Sequence, residues 1–289
     1  MQINKLLHPT DLSESCQVAM KLATELARRH SAELHLLHAV VFYNPADYFQ
    51  DIDAIYAQLK QAAAKKMQQY VESAAAQDLK IEQVIIPAIS AGTMITGYVT
   101  EYNIDLIVMS THGRKGLEHL LLGSIAEEVV RTARCPVMTI RAAAKKVSSS
   151  FKRILAAIDF SEHSESLLQN AQQLAREYNS ELHLLHVVEQ PIYPAFYAFE
   201  LAFPGDIISK IRSAVEEKLQ NLAATSAVPA RVHVIDGSPG RAITDFADKI
   251  DADLIILATR GLAGLDHLLL GSVADKVVRR ANCPVLTVK

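Results

Sequence analysis

One stretch of this chain, Gly113-Arg-Lys-Gly-Leu-Glu-His-Leu-Leu-Leu-Gly-Ser124, returns 148 residues later as Gly261-Leu-Ala-Gly-Leu-Asp-His-Leu-Leu-Leu-Gly-Ser272. From Gly113 to Ile140, 18 of 28 positions are repeated in the copy. The chain is therefore a duplication, and each half must satisfy the same folding pattern. Each unit is long enough to bury a core of ordinary size. The expected domains are 1–141 and 151–289. The small, polar run Ala142–Ser150 (Ala-Ala-Ala-Lys-Lys-Val-Ser-Ser-Ser) reads as the linker between them.

Within each half, short apolar runs alternate with stretches of helical spacing. Lys5–His8 reads as a strand, and Val18, Ala19, Leu22, Ala23 and Leu26 share one face of a helix spanning Glu14 to Arg29. Strands are expected at Glu33–Val41, Ile81–Ile86, Leu106–Met109 and Val137–Arg141, with helices near 53–77, near 93–102 and from Ser124. The second half repeats the order, with strands at Arg153–Ile158, Glu181–Val188, Arg231–Ile235, Leu254–Ala258 and Val285–Lys289. Such alternation predicts an α/β fold: two tandem doubly wound, Rossmann-like domains, each with a five-stranded parallel sheet. Ligands of such sheets bind outside the carboxyl ends of the strands, where strand order reverses. Pro9, Thr10 and Asp11 end the first strand, Ala39 comes late in the second, and Ser110 ends the fourth. Their counterparts in the second half include Asp159, Val187 and Ala258.

Composition narrows the partners. Half of the residues are apolar, 21% are charged and the net charge is −3, with no basic stripe that would suit nucleic acid. No window approaches the length of a membrane span, and no apolar signal segment opens the chain. Three cysteines without CxxC spacing argue against a disulfide framework or zinc knuckle. The expected location is the cytoplasm.

The repeated segment is where chemistry is expected. Gly123-Ser124 and Gly271-Ser272 open helices, where free N–H groups and the helix dipole favour an anion. A glycine there lets the backbone approach a phosphate closely. A purely structural reading also exists: Ser124-Ile-Ala-Glu127 has the form of a capping box, and Ser272-Val-Ala-Asp275 nearly so.

Taken together, Leu7-His-Pro-Thr-Asp11-Leu-Ser13, Leu36-Leu-His-Ala39, Asp105-Leu-Ile-Val-Met-Ser110-Thr-His-Gly113 and Gly123-Ser124 resemble the universal stress protein family. The second copy carries Ala156-Ala-Ile-Asp159-Phe-Ser161, Leu184-Leu-His-Val187, Asp253–Gly261 and Gly271-Ser272, so the likeness is to the tandem form. ATP-binding members carry Gly, two residues, Gly, nine residues, Gly, then Ser or Thr. Residues 114–122 and 262–270 supply the nine-residue spacer here. The resemblance implies an adenine nucleotide as ligand, ATP foremost, with Mg2+ as an accompanying ion. It implies that Asp11 and Asp159 contact the adenosine portion and that Ala39 and Val187 offer backbone to the adenine. Gly113, Gly123 and Ser124, and in the copy Gly261, Gly271 and Ser272, would hold phosphates. It further implies that the halves pair through their last strands as a pseudo-dimer; further homo-oligomerisation and an unidentified protein partner are compatible with the sequence. Departures exist. Ser110 and Ala258 stand where the motif's first glycine would be, so any requirement for positive φ there would cost energy. Ala157-Ile158 replace Pro9-Thr10 in the second copy.

Other features are assigned ordinary roles. His35 and His38, and their mates His183 and His186, are three apart on strands and so face opposite sides; neither pair can chelate one ion. His119 and His267 lack a paired carboxylate at a telling spacing, and His112 becomes Arg260 in the copy, so no shared acid or base is expected there. Arg114 and Arg260 carry charge suited to a phosphate. No Walker lysine pattern is present, and binding is expected without fast turnover. The aromatic segment 191–204, with a lesser counterpart from Phe42 to Phe49, reads as a loop packed against the neighbouring domain, with an interaction scaffold or apolar-ligand surface as the alternative. A slow ATP hydrolase is the remaining alternative.

Overall fold

A computed structural model of the chain describes residues 2–41, 52–73, 78–111, 122–189, 205–259 and 270–289. In the first half, β1 (Lys5–Pro9), α1 (Gln17–His30), β2 (Glu33–Val41), α2 (Ile52–Ser73), β3 (Ile81–Ala88), α3 (Ala91–Tyr102), β4 (Leu106–Ser110), α4 (Ser124–Thr132) and β5 (Val137–Ile140) follow one another. The second half runs β6 (Arg153–Ala157), α5 (Ser164–Tyr178), β7 (Glu181–Val188), α6 (Gly205–Ala224), β8 (Ala230–Asp236), α7 (Pro239–Lys249), β9 (Leu254–Ala258), α8 (Ser272–Arg280) and β10 (Val285–Val288). The first helix begins later than its spacing suggested, because Glu14–Cys16 form a separate 3-10 turn. β3 continues through Pro87, which an edge strand tolerates.

The strands form one sheet in the order β3-β2-β1-β4-β5-β10-β9-β6-β7-β8. Within each half the pairing is parallel and the order reverses between β1 and β4, or β6 and β9. The halves join by an antiparallel β5–β10 pair, with Met138 opposite Leu286. Thr139 donates its hydroxyl to the Val285 carbonyl at 3.4 Å, and Thr287 does the same to Val137 at 3.1 Å. Each end strand thus finds the partner its unpaired backbone groups need.

Strand side chains alternate between two apolar layers. Leu6, Leu34 and Leu36 pack with Met20, Leu22 and Met67, under α1 and α2, and the layer continues beneath α5 and α6. Leu7, Leu37 and Ile107 face the opposite layer, under α3, α4, α7 and α8. Both layers cross the β5–β10 seam without interruption, so the core belongs to the pair of halves.

The linker is docked. Lys146 reaches Asp251 and the buried Asp253, each at 2.8 Å, and its backbone N–H donates to Asn282 at 3.0 Å. Burial opposes the ammonium charge, but the two carboxylates outweigh it and raise its pKa. Asp253 also accepts from the Arg153 N–H at 2.8 Å, as Asp105 accepts from Asn4 and Lys5 in the first half.

Glycines set how closely helices approach. A Cβ at Gly240 would lie 2.6 Å from Lys276 Cβ, where α7 crosses α8, whereas one at Gly97 in α3 would meet nothing within 4 Å. Gly240→Ala is expected to lower unfolding free energy by about 1–3 kcal/mol through overpacking. Gly97→Ala should raise it by about 0.5–1 kcal/mol, since it adds only helix propensity. Urea titration of the two variants beside the wild type checks both signs.

Candidate functional site

The carboxyl ends of β1 and β4 are tied together by a network of short contacts. The Thr10 N–H donates to the Leu37 carbonyl at 2.9 Å, and His38 Nδ1–H donates to the Thr10 carbonyl at 2.8 Å. These two bonds hold the end of β1 against the stretch of β2 that carries Ala39. Asp11 then turns the chain: its Oδ1 accepts from the Ser13 N–H at 3.0 Å and from the Cys16 thiol at 3.3 Å. Leu12, between them, has φ 61°. On the β4 side, the buried Ser110 hydroxyl donates to the Ser15 carbonyl at 3.0 Å. The Gly123 N–H donates to the Thr111 carbonyl at 2.9 Å. Pro9, Thr10, Asp11, Ala39, Ser110, Gly123 and Ser124 therefore cluster at the carboxyl ends of the strands, with Pro9, Thr10 and Ser110 buried there.

The second copy is built alike. His186 Nδ1–H donates to the Ile158 carbonyl at 2.7 Å, and Asp159 Oδ1 accepts from the Ser161 N–H at 3.0 Å and the Ser164 hydroxyl at 3.1 Å. Phe160 has φ 59°, matching Leu12. Its ring lies 4.8 Å from that of His186, with the Lys218 ammonium 4.4 Å over it. Gly271 donates to Thr259 at 2.9 Å as Gly123 does to Thr111. Asp159, Val187, Ala258, Gly271 and Ser272 occupy the places of their mates. Gly113 and Gly261 lie outside the described residues, as do His112, Arg114, His119, Arg260, His267 and the segments 42–51 and 190–204.

One reading changes. Ser124 and Ser272 are not N-caps: Gly123 (φ −60°, ψ 137°) and Gly271 (φ −56°, ψ 136°) cap α4 and α8, without a side-chain cap bond. The serines are the first helical residues and are exposed, so the capping-box reading does not apply. The glycine caps leave the first-turn N–H groups without the side-chain acceptor a serine would have given. The cost that positive φ would carry at Ser110 and Ala258 does not arise, since neither has it; Leu12 and Phe160, one residue beyond each aspartate, do have positive φ. A branched or aromatic residue in the left-handed region is destabilising by about 1–2 kcal/mol, and here it occurs at the same place in both copies.

The residues present fit an anionic, hydrogen-bonding ligand. In the second copy Thr259 Oγ1, beside the Gly271 cap, and Ser161 Oγ, in the loop after β6, are buried without a hydrogen-bond partner among the described residues. Among the described residues no cluster of three or more His, Cys, Asp or Glu side chains that could hold a metal ion forms. His35 bonds Tyr98 at 2.8 Å while His38 bonds Thr10, so the two imidazoles serve different contacts. Burial pushes the Cys135 and Cys283 thiols up to about 12, which leaves them protonated and unreactive at neutral pH.

His8 is the feature that sequence reasoning passed over. It is wholly buried one residue before Pro9, with Nδ1–H donating to the Val108 carbonyl at 2.8 Å and Nε2 accepting from the Tyr70 hydroxyl at 3.2 Å. Burial lowers its pKa to about 4, although the Val108 bond and the Asp11 charge pull the other way. A depressed folded-state pKa means the unfolded chain binds the proton more readily. The stability it secures is full above about 6.5 and is lost as pH falls toward about 4. That loss should reach about 3 kcal/mol. His35, His183 and His233, also lowered by burial, add to it in the same direction. Thermal melts from pH 7 to pH 4 test this, and His8→Ala, which copies the native Ala156, should flatten the profile.

Among the described residues no helix is long and apolar enough to cross a membrane. The universal stress protein family model matches residues 2–141 and again 150–289. A universal stress protein of Coxiella burnetii is 36% identical over 141 residues, spanning 48% of this chain and 96% of its own length. The universal stress protein E homolog of Haemophilus influenzae is 27% identical over 236 residues, 77% of this chain and 74% of its own. A universal stress protein structure from Archaeoglobus fulgidus superposes with a TM-score of 0.74 at 23% identity, covering 99% of this chain and 96% of that one. With one copy of the family pattern in each half and the two joined edge to edge, the chain belongs to the universal stress protein family as a tandem member.

Proposed function

We propose that the chain binds an adenine nucleotide, ATP foremost, at the carboxyl ends of β1 and β4 and of β6 and β9, with Mg2+ accompanying the phosphates. It acts as a stress-response sensor or regulator without fast turnover. Asp11 and Asp159 would meet the adenosine portion, beside Pro9 and Thr10 in the first half. Ala39 and Val187 would offer backbone to the base. Ser110 and Ala258 would line the approach to phosphates held by Gly113, Gly123, Ser124, Gly261, Gly271 and Ser272. The observation that carries this reading is the glycine cap of α4 and α8, bonded back to the strand end in both copies. It presents free N–H groups beside a strand-order reversal. The free cysteines Cys16, Cys135 and Cys283 suit the cytoplasm, a reducing compartment.

The test is to purify the protein without added nucleotide, denature it and quantify any released nucleotide by chromatography. Near two adenine nucleotides per chain supports both sites, and near one points to the difference between the halves. If none is released, calorimetric titration with ATP and Mg2+ decides, and no heat at millimolar ligand would refute the proposal.

A further inference from the structure

The seam strands by themselves do not say which half should pair with which. Val137-Met-Thr-Ile140 and Val285-Leu-Thr-Val288 are near copies, and their paired threonines make the same bond in both directions. Two first halves, or two second halves, from different chains would satisfy the same ladder. The ends of α1 and α5 are different. They meet across the seam, and there the duplicated positions have diverged: Arg29-His30 in the first half correspond to Glu177-Tyr178 in the second.

The contacts between them are complementary. His30 bonds the Glu177 carboxylate at 3.0 Å through Nδ1 and the Tyr178 hydroxyl at 3.1 Å through Nε2. The Arg29 guanidinium donates to the Glu177 carbonyl at 3.0 Å and lies 4.0 Å over the Tyr178 ring. Tyr178 in turn packs against the buried Phe151. Because positions 29 and 30 meet their own mates, the cluster sits where the two halves' pseudo-symmetry brings equivalent residues together. A pair of first halves would set two guanidiniums and two imidazoles against each other with neither the Glu177 carboxylate nor the Tyr178 phenol. A pair of second halves would oppose two Glu177 carboxylates. Glu177 also occupies the last turn of α5, where the helix dipole disfavours an anion. Its local position gives no reason for an acid; the imidazole across the seam does.

We infer that the cluster Arg29, His30, Glu177 and Tyr178 determines partner choice at the β5–β10 seam. It selects the other half of the chain and rejects a second copy of the same half. Exposed ion pairs contribute little to stability, but opposing like charges are an effective way to suppress a wrong partner. The opposing charges are the two Arg29 guanidiniums or the two Glu177 carboxylates; the His30 side chain, only 7% exposed and held toward its neutral form by burial, contributes as a hydrogen-bond partner that only the other half satisfies.

The experiment begins from the intact folded chain carrying a protease site between Ser148 and Ser149. After cleavage, the halves are exchanged in mild denaturant, returned to buffer and weighed as complexes by native mass spectrometry. Wild type should show heterotypic pairs in excess of homotypic ones by about tenfold or more, the ratio that about 1.4 kcal/mol of discrimination produces. With Arg29→Glu and His30→Tyr, both halves carry the same residues, and the excess should collapse toward a statistical mixture. Adding Glu177→Arg and Tyr178→His should restore it. A statistical mixture from wild type, or an undiminished excess in the first variant, overturns the inference. Should the cleaved halves fail to re-pair, the uncleaved variants decide: the doubly substituted chain should melt lower than wild type and the fourfold variant should recover. A fourfold variant melting as low as the double one overturns the inference as well.

Discussion

Replacing Gly123 and Gly271 together with tryptophan should abolish measurable adenine-nucleotide binding while leaving the melting temperature within a degree or two of wild type. Both glycines have φ and ψ that any L-residue adopts, so the backbone is not strained by the exchange, and both are only half-buried. What changes is access. An indole at the cap occupies the space in front of the first-turn N–H groups, where a phosphate would have to approach. Losing two charge-assisted hydrogen bonds at about 1.5–3 kcal/mol each predicts an affinity loss of at least about a hundredfold. Isothermal titration of the folded double variant measures it, and affinity within a fewfold of wild type would remove the glycine caps from the proposed site. The single variants, titrated separately, report how the two halves share the binding.

Phe151→Ala should have the largest effect on stability of any single substitution considered, a loss of about 3–5 kcal/mol. Phe151 is the first residue beyond the docked linker and is 1% exposed. Its ring lies 4.9 Å from that of Tyr178, which also carries the Arg29 and His30 contacts. Truncation opens a cavity where linker, second-half core and the α1–α5 contact converge. Because both apolar layers run across the seam, urea unfolding should remain a single transition displaced to lower denaturant. Two separated transitions would show that the halves melt independently and that the layers do not act as one core.

The order of elements was legible because each strand is a short apolar run and each helix shows its own spacing; nearly every element falls where periodicity placed it. Asp11 and Asp159 stood out as polar residues ending buried strands. The strained Leu12 and Phe160 did not, because neither type favours the left-handed region; only the bonds each aspartate makes to the following loop show why the chain turns there. Ser124 misled because a capping box is a pattern of side chains, whereas the helix start is set by the Gly123 bond back to Thr111. His8 was invisible for another reason. Its partners, Val108 and Tyr70, are 100 and 62 residues away, and no local pattern announces a contact assembled by the sheet. Likewise Lys146 reads as a solvated linker charge until Asp251 and Asp253 are placed beneath it.

The antiparallel seam has a geometric consequence. Since β5 and β10 run in opposite directions while each half is internally parallel, the carboxyl ends of one set of five strands lie at the opposite rim of the slab from those of the other. The chain is two-headed. Ligands at the two proposed sites would therefore lie at opposite rims and would not compete for space. Any coupling between the two rims crosses the β5–β10 ladder, the apolar layers that flank it and the α1–α5 contact.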